Sequence, residues 1–309
     1  MTESTLPASV VHRVLEWHGD RGREWLDRLP RLVSRIADAW ELEVGAALEG
    51  GTHSFVAPVQ RSDGSPAIIK VPFVDDENRS EAEALRLYAG QGAVLLYEFD
   101  AVSGAMLLEL AEPGSPLSRY GDRSAAIDIA CKTLARLRRP VPSSHPFLLV
   151  RDKAAEWKAR FGLSDARLHS QRLAVLLARA QSALARLEAE DAASLLVNRD
   201  AHLDNVLAAT REPWLLIDPK PLVGDPAFDA GYLISDLLGD DRDPRAAERL
   251  MNQVSEGLAE PRWRVAAWGV ARAAENAVWV LEDLAHPVEA EYYVTLGEAL
   301  LIASGSELE

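Results

Sequence analysis

The chain reads LLVNRDAHLDNVL from Leu195 to Leu207 and WLLIDPKPLVGDPAFD from Trp214 to Asp229. Asp200 and Asn205 are five residues apart in the first stretch, and Asp218 ends an apolar run in the second. Phosphoryl transfer from ATP needs a carboxylate that orients the acceptor hydroxyl and takes its proton, and oxygen ligands that hold Mg²⁺ against the phosphates. A D-x-x-x-x-N loop followed by a strand that ends in Asp supplies all of these groups.

The same residue types also have a purely structural use. Asp200, Asp204 and Asn205 would suit turns and helix caps, which favour Asp and Asn. The later Asp218 and the order of the whole set favour chemistry. His202 lies two residues after Asp200 and is predicted to support the loop, since the sequence offers it no zinc-type ligands.

A lysine interrupts the apolar run Ala67–Val71, which is predicted to be a strand. An unpaired ammonium is unfavourable in apolar surroundings, so Lys70 is expected to have a carboxylate partner. Glu81, on the helix predicted over Glu77–Ala89, is the first choice, and such a pair would aim the lysine at the α- and β-phosphates of ATP. Two other glutamates are alternatives, Glu77 and Glu83. Lys70 could instead extend to the edge of an outer strand.

Two further segments of the first half are predicted to bind the nucleotide. The GGTHS segment has glycines and backbone donors that could cover the phosphates, although most glycine pairs are turns and this one is not a P-loop. Its candidates are Gly50, Gly51, Thr52 and Ser54. The segment Met106–Leu110 leads into a linker, so its backbone at Glu109 and Leu110 is expected to bond adenine.

The predicted elements divide the chain into a β-rich part and a helical part. Residues 1–44 are predicted to be helical and to pack on the first lobe, 45–112 to form a small, mostly antiparallel nucleotide-binding sheet with one helix, and 113–309 to form a helical lobe with the catalytic loop and the substrate site. The linker is placed at Glu112–Pro116. Predicted helices of the second lobe are Ala125–Leu137, Val150–Arg160, Ser170–Leu187, Ala246–Glu256, Arg262–Glu282 and Glu289–Ser304. This α+β, bilobal arrangement predicts a ligand cleft between the lobes.

Composition excludes several classes of partner. The chain has 309 residues, with 48 acidic and 33 basic ones and a formal net charge of −15. Such a surface repels nucleic acid and anionic membranes, and it favours either solubility alone or attraction of a cationic small substrate. The single cysteine, Cys131, argues against an internal disulfide and a cysteine-rich metal site. We expect a cytoplasmic monomer or homodimer, because neither a signal peptide nor a long apolar span is evident.

The ordered set Lys70, Glu81, Asp200, Asn205 and Asp218 resembles the aminoglycoside phosphotransferase family of kinase-like enzymes. Several stretches are similar to the branch that contains the streptomycin 6-kinases and hydroxyurea phosphotransferases, and the resemblance runs from about Gly22 to the last helices. These stretches are WLDRLP from Trp25, GGTHSF from Gly50, IKVPF from Ile69, LLELAEPGSPL from Leu107 and REPWLLIDPKPLVGDPAFD from Arg211.

The resemblance implies a protein-kinase-like fold that uses ATP and Mg²⁺, with an antibiotic hydroxyl as the acceptor. By the same resemblance Asp200 is the catalytic aspartate, Asn205 and Asp218 are the magnesium ligands, and Lys70 with Glu81 is the phosphate-binding pair. It also implies that Asp225 steadies the catalytic loop and that Asp229 lies behind it.

The sequence departs from the family pattern beside Asp200. Where the family has H-G-D, this chain has Asn198-Arg199-Asp200. Asn198 can still hydrogen-bond the backbone and support the loop, whereas Arg199 adds bulk and positive charge beside the acceptor. Carboxylates in the C-terminal part are therefore candidates for binding a cationic acceptor: Asp236, Asp240, Asp241, Glu275, Glu282 and Asp283. Glu275 and Glu282 share a helix face, which could also be an ordinary solvated face.

These observations leave more than one function open. The first is an active kinase for an aminoglycoside, with hydroxyurea or another sugar or amino alcohol as alternative acceptors. The second is a nucleotide-binding pseudokinase, which the intact set of polar residues argues against. A protein kinase is less well supported, since neither D-F-G nor A-P-E occurs in the sequence.

Overall fold

The computed structural model describes residues 6–49, 53–164, 170–239 and 242–308. These residues form two compact units. The first comprises Met1–Gly114 with Ala208–Ile217, and the second comprises Ser115–Leu207 with Asp218–Glu309.

The first unit begins with the helix α1 (Ala8–Ala39), which breaks at Gly19. Gly19 has φ +51° and ψ −126°, a backbone conformation that favours glycine, so two helical segments result. The second segment places Leu29, Val33 and Ile36 in one apolar cluster with residues of the neighbouring sheet. Burial of this helical stripe attaches α1 to the sheet.

The sheet of the first unit has five strands in the order β1-β2-β3-β5-β4, all antiparallel. They are β1 (Leu42–Val44), β2 (Ser54–Arg61), β3 (Pro66–Pro72), β4 (Leu96–Asp100) and β5 (Ala105–Leu108). Lys70 lies opposite Val56 on one side and Met106 on the other, so β3 is central. A central position rules out the alternative in which Lys70 extends from an outer strand.

The helix between β3 and β4 is shorter than predicted. Helix α2 spans Glu81–Tyr88, whereas the sequence predicts a start at Glu77. Asp75 Oδ1 accepts hydrogen bonds from the backbone N–H groups of Glu77 (2.8 Å) and Asn78 (3.1 Å), which holds this segment in a turn. Local capping by an aspartate therefore replaces the first predicted helical turn.

Most of a hairpin from the second half of the sequence, from Ala208 to Ile217, belongs to the first unit. It contains β9 (Val206–Ala209) and β10 (Trp214–Leu216), and a small sheet has the order β10-β9-β6, with β6 at Pro113–Pro116. Leu216 pairs in parallel with Ala93, and its N–H donates to Gly92 O at 2.9 Å. The division that assigned all of 113–309 to one helical lobe is wrong for this hairpin, because backbone pairing attaches it to the first unit. The rest of the predicted division stays a prediction.

The second unit is mainly helical. Its helices are α3 (Arg123–Leu137), α4 (Val150–Leu163), α5 (Gln171–Ala189), α6 (Phe228–Leu238), α7 (Pro244–Leu258), α8 (Arg262–Glu282) and α9 (Pro287–Ser304). Helix α8 is buried along most of its length and packs against α5, α6 and α9. In the part of the chain that the structure describes, none of the helices combines the length and the apolar character that crossing a bilayer requires.

Helix α6 was not predicted. Eight of its eleven residues are buried, so few polar positions mark the segment as a helix in the sequence. Gly231 lets α6 approach α8 closely, since a Cβ there would lie 2.8 Å from the carbonyl oxygen of Trp268. The segment is thus a core helix, and its packing against neighbouring helices such as α8 is evident only in the folded structure.

A three-stranded sheet of order β7-β11-β8 lies in the second unit, with β7 at Leu148–Leu149, β8 at Leu195–Asn198 and β11 at Pro221–Gly224. Strands β8 and β11 are antiparallel, and Asn198 lies opposite Pro221. This register brings the loop after β8 next to the segment that precedes β11. Asp200 and Lys220 come from these two segments.

Candidate active site

Asn198 holds the loop that carries Asp200. Its Oδ1 accepts hydrogen bonds from the backbone N–H groups of Asp200 (3.2 Å) and Lys220 (2.9 Å). Its Nδ2 is buried and has no hydrogen-bond partner among the described residues, an arrangement that costs about 1–3 kcal/mol. The amide thus supports the loop through its oxygen alone, which supplies the support that the sequence predicts for it.

The carboxylate of Asp200 is partly exposed and is oriented by two side chains. Lys220 Nζ lies 2.9 Å from Asp200 Oδ2, and Asn205 Nδ2 donates to Asp200 Oδ2 at 3.3 Å and to Asp200 O at 3.2 Å. His202 Nε2 lies 3.8 Å from the other carboxylate oxygen. With 23% of its side chain exposed, Asp200 can reach an acceptor from solution.

The two residues predicted as metal ligands differ in conformation. Asn205 is buried, and its Nδ2 donates to Asp200. Its Oδ1 accepts no hydrogen bond among the described residues, so this oxygen is the atom that can bind a cation. Asp218 lies two residues after the end of β10 and has φ +49°, a strained conformation that is concentrated at functional sites. An amide oxygen and a carboxylate fit Mg²⁺, which prefers hard oxygen ligands.

The two acids of the GDPAFD segment have the opposite of their predicted roles. Asp229, and not Asp225, contacts the strand that leads into the catalytic loop, since Asp229 Oδ1 accepts the N–H of Asn198 at 2.7 Å. Asp225 Oδ2 instead accepts from Arg264 Nη2 and Trp268 Nε1, both at 2.8 Å, and so attaches its segment to α8. Trp268 is buried in the core.

Asp229 makes the stability of the fold depend on pH. Burial raises the pKa of Asp229 to about 6, while Arg138 and the N–H of Asn198 oppose the shift. In the unfolded chain an Asp titrates near 3.8. Between about pH 4 and 6 the carboxyl group of Asp229 is protonated in the folded state and ionised in the unfolded state. Its contribution to the free energy of unfolding is therefore fully present below pH 4 and is lost as the pH rises through 6.

We therefore expect wild-type protein to lose stability relative to Asp229→Asn as the pH rises from 4 to 7. The loss is about 3 kcal/mol, from about 1.4 kcal/mol per unit of pKa shift. Urea unfolding of both proteins at several pH values measures it. If the free energy of unfolding of wild type minus that of the variant is constant, or increases with pH, Asp229 stays ionised throughout.

Lys70 and Glu81 form a buried ion pair in the first unit. Lys70 Nζ lies 2.7 Å from both carboxylate oxygens of Glu81, and Glu81 is completely buried. Of the alternative partners, Glu83 pairs with Arg86 at 2.7 Å. The pair holds an ammonium group at a fixed point of the central strand β3; its contact with ATP phosphates stays a prediction.

The remaining nucleotide candidates are placed as follows. Gly50, Gly51 and Thr52 lie outside the described residues, and Ser54 is buried at the start of β2. The Glu109 carboxylate accepts two hydrogen bonds from Arg211, at 2.8 and 2.7 Å, and the Glu109 N–H donates to Leu95 O. An adenine contact at Glu109 would therefore have to use its carbonyl group, and Leu110 next to it is half-buried.

The predicted acceptor-binding acids fall into two groups. Asp236 is near the catalytic loop and accepts the N–H of Leu203 at 3.5 Å; burial raises its pKa, and His202 opposes that shift. Glu275 and Asp283 instead pair with arginines, Glu275 with Arg272 and Asp283 with Arg160. Neutralised carboxylates attract a cation poorly, so these two fit the predicted role less well. Glu282 also pairs with Arg160, and Asp240 and Asp241 lie outside the described residues.

Lys220 is a site residue that the sequence analysis missed. Its side chain is 14% exposed and contacts Asp200 directly. A basic residue two positions after Asp218, between Pro219 and Pro221, was a signal in the sequence, but only the pairing of β8 with β11 shows which carboxylate it contacts.

Outside this loop, His18, His53 and Asp75 have ligand atoms within 4.8 Å of one another. His18 stacks on Phe73 with 3.9 Å between ring centroids, which gives this histidine a packing role.

The profile of the aminoglycoside/hydroxyurea antibiotic resistance kinase family matches residues 39–284, which include the Lys70–Glu81 pair and the whole catalytic loop. The chain belongs to this family. The predicted family is therefore confirmed, and this kinase is a small-molecule phosphotransferase of the group that contains the streptomycin 6-kinases and hydroxyurea phosphotransferases.

Two relatives of the kinase have names that differ in the acceptor. It is 35% identical over 299 residues to "Streptomycin 6-kinase" of Streptomyces glaucescens, covering 96% of each chain. It is also 35% identical over 304 residues to "Hydroxyurea phosphotransferase" of Kitasatospora aureofaciens, covering 97% of this chain and 87% of the relative. Equal identity to both leaves the acceptor undecided.

A solved structure confirms the predicted fold of the kinase. A thermostable mutant of aminoglycoside phosphotransferase APH(4)-Ia, in a ternary complex with AMP-PNP and hygromycin B, matches with a TM-score of 0.61. The match covers 88% of this chain and 98% of that one at 13% identity, so it supports the fold alone. The α+β, kinase-like architecture with an antiparallel first sheet is the one that the sequence predicts.

Proposed function

We propose that this kinase transfers the γ-phosphoryl group of ATP to a hydroxyl group of a cationic small molecule, with streptomycin as the leading acceptor. The observation that carries the proposal is the Asp200 carboxylate, which is partly exposed and oriented by Lys220 and Asn205. A positioned carboxylate of this kind can accept the proton of an attacking hydroxyl.

The reaction divides among the residues as follows. Asp200 orients the acceptor hydroxyl and takes its proton as the hydroxyl oxygen bonds to the γ-phosphorus. The bond between that phosphorus and the β,γ-bridging oxygen breaks, and ADP leaves. Lys70, held by Glu81, is proposed to bind the α- and β-phosphates. Asn205 and Asp218 would hold Mg²⁺, which when bound neutralises phosphate charge.

The acids near the loop favour a cationic acceptor. Burial raises the pKa of Asp236, and the nearby charges of Asp204 and Asp200 raise it further. A guanidinium or ammonium group of the acceptor would be attracted to these carboxylates. Arg199 opposes that attraction, so acids close to the loop have to outweigh it.

Hydroxyurea is the second candidate acceptor. The 35% identity to the hydroxyurea phosphotransferase favours it as strongly as the first candidate. Hydroxyurea is small and uncharged, so its turnover should not depend on Asp236. This difference separates the two candidates.

The test measures ADP release from Mg·ATP by purified protein with streptomycin, other aminoglycosides, hydroxyurea and simple amino sugars. Streptomycin is expected to stimulate release, with a phosphorylated product visible by mass spectrometry, and Asp236→Asn is expected to raise KM for streptomycin but not for hydroxyurea. Stimulation by hydroxyurea alone would overturn the choice of acceptor. Nucleotide binding without turnover on any acceptor would favour the pseudokinase, and no nucleotide binding would refute the roles of Lys70, Asn205 and Asp218.

A further inference from the structure

We propose that Lys220 is a catalytic residue that bonds the phosphoryl group during its transfer and stabilises the charge on its oxygens. This inference rests on the proposed function. It gives Lys220 a role separate from that of Lys70, which is proposed to bind the α- and β-phosphates of the bound nucleotide.

The backbone around Lys220 is held on both sides. The Lys220 N–H donates to Asn198 Oδ1 at 2.9 Å, and the Lys220 carbonyl accepts the N–H of Arg199 at 3.0 Å. Pro219 precedes Lys220, and Pro221 follows it at a position paired with Asn198. Since proline fixes φ, this segment has little freedom. The starting point of the side chain is thus set relative to the catalytic loop.

The side chain ends at the reacting centre. Lys220 Nζ lies 2.9 Å from Asp200 Oδ2. An acceptor hydroxyl that gives its proton to Asp200 has to lie within about 2.6–3.2 Å of that carboxylate, and the phosphorus that it attacks is a further bond length away. The phosphoryl oxygens are therefore within reach of the ammonium group, without a change of backbone.

The chemistry of lysine suits this place. An ammonium group has three N–H donors, so it can bond Asp200 and a phosphoryl oxygen together. In the transition state of phosphoryl transfer, negative charge is spread over three equatorial oxygens, and a fixed cation beside them lowers the barrier. A partly exposed ion pair contributes little to stability by itself. A contribution to stability therefore does not explain why a lysine lies beside the base.

The test compares Lys220→Met and Lys220→Arg with wild type. For Lys220→Met we expect kcat to fall about 10²–10³-fold, the range found when one preorganised donor to a transition state is removed. KM for ATP and the melting temperature should change little, and Lys220→Arg should recover part of kcat. Lys153→Met is a matched control, because Lys153 also lies 2.9 Å from a carboxylate, that of Glu156 on the same helix.

A second readout separates catalysis from positioning and needs no turnover. MgADP with aluminium fluoride imitates the planar phosphoryl group, whereas MgADP alone does not. Lys220→Met is expected to weaken the aluminium fluoride complex by a factor similar to its loss of kcat, with MgADP affinity unchanged.

Three results would overturn the proposal. They are a Lys220→Met enzyme with kcat near that of wild type, equal loss of affinity for MgADP with and without aluminium fluoride, and a loss of activity that follows a loss of folded protein. The proposed function fails in a different way, when wild-type protein phosphorylates none of the acceptors. In that case the aluminium fluoride comparison still decides the role of Lys220.

Discussion

Replacing Asp200 by Asn is expected to lower kcat about 10²–10⁴-fold, the usual contribution of a positioned general acid or base. The amide keeps the shape of the carboxylate but cannot take the proton of the acceptor hydroxyl. Asn198 and Asn205 bond the backbone of residue 200, and the substitution keeps those contacts. The loop should therefore remain folded while the chemistry is lost.

The measurement is steady-state kinetics with the best acceptor, together with nucleotide affinity and melting temperature. Asp152→Asn is the control, since Asp152 is an exposed acid in the first turn of α4 in the same unit. It should retain wild-type kcat. If Asp200→Asn keeps more than a small fraction of wild-type kcat, or loses nucleotide affinity to the same extent as kcat, Asp200 is not the base.

Replacing Glu81 by Ala is expected to destabilise the first unit by about 3–5 kcal/mol, the typical result of removing one partner of a buried ion pair. Glu81 is completely buried, and both of its oxygens lie 2.7 Å from Lys70 Nζ. The ammonium would remain in the central strand without that carboxylate. Replacing both members by apolar residues, as in Lys70→Met with Glu81→Leu, should recover most of the loss.

Urea unfolding and hydrogen exchange of the β3 amides measure the effect. Glu83→Ala is the matched control, because Glu83 is two residues away on the same helix and pairs with Arg86 on the surface. Its cost should be about 1 kcal/mol or less. If Glu81→Ala is no less stable than this control, or if the double variant is as unstable as the single one, buried charge is not the cause. The double variant should still bind ATP poorly, since it lacks the lysine.

The sequence predicted best those features whose residues all lie within one short segment. The spacing of Asp200, Asn205 and Asp218 predicted the chemical groups of the loop. The apolar neighbours of Lys70 predicted a carboxylate partner, and the structure supplies Glu81. The predicted bounds of α5 and α8 lie within two residues of the observed ones at either end.

Tertiary structure decided what depends on two distant segments. Helix α6 is mostly buried and packs against α8. The hairpin of β9 and β10 joins the first unit because Leu216 pairs with Ala93. Asp229 exchanges roles with Asp225 because only its carboxylate reaches Asn198. Each case depends on packing between residues far apart in sequence, which a local window does not contain.

The sequence by itself thus determined the family and the class of reaction, and it predicted the reacting groups, because these depend on residue type and spacing within short motifs. Only the tertiary structure decided the contacts of those groups. Lys220 reaches Asp200 because the register of β8 against β11 places Asn198 opposite Pro221. Glu275 and Asp283 are neutralised because arginines lie beside them in the folded chain. Charge pairing depends on distances of a few ångströms in space, and folding sets those distances.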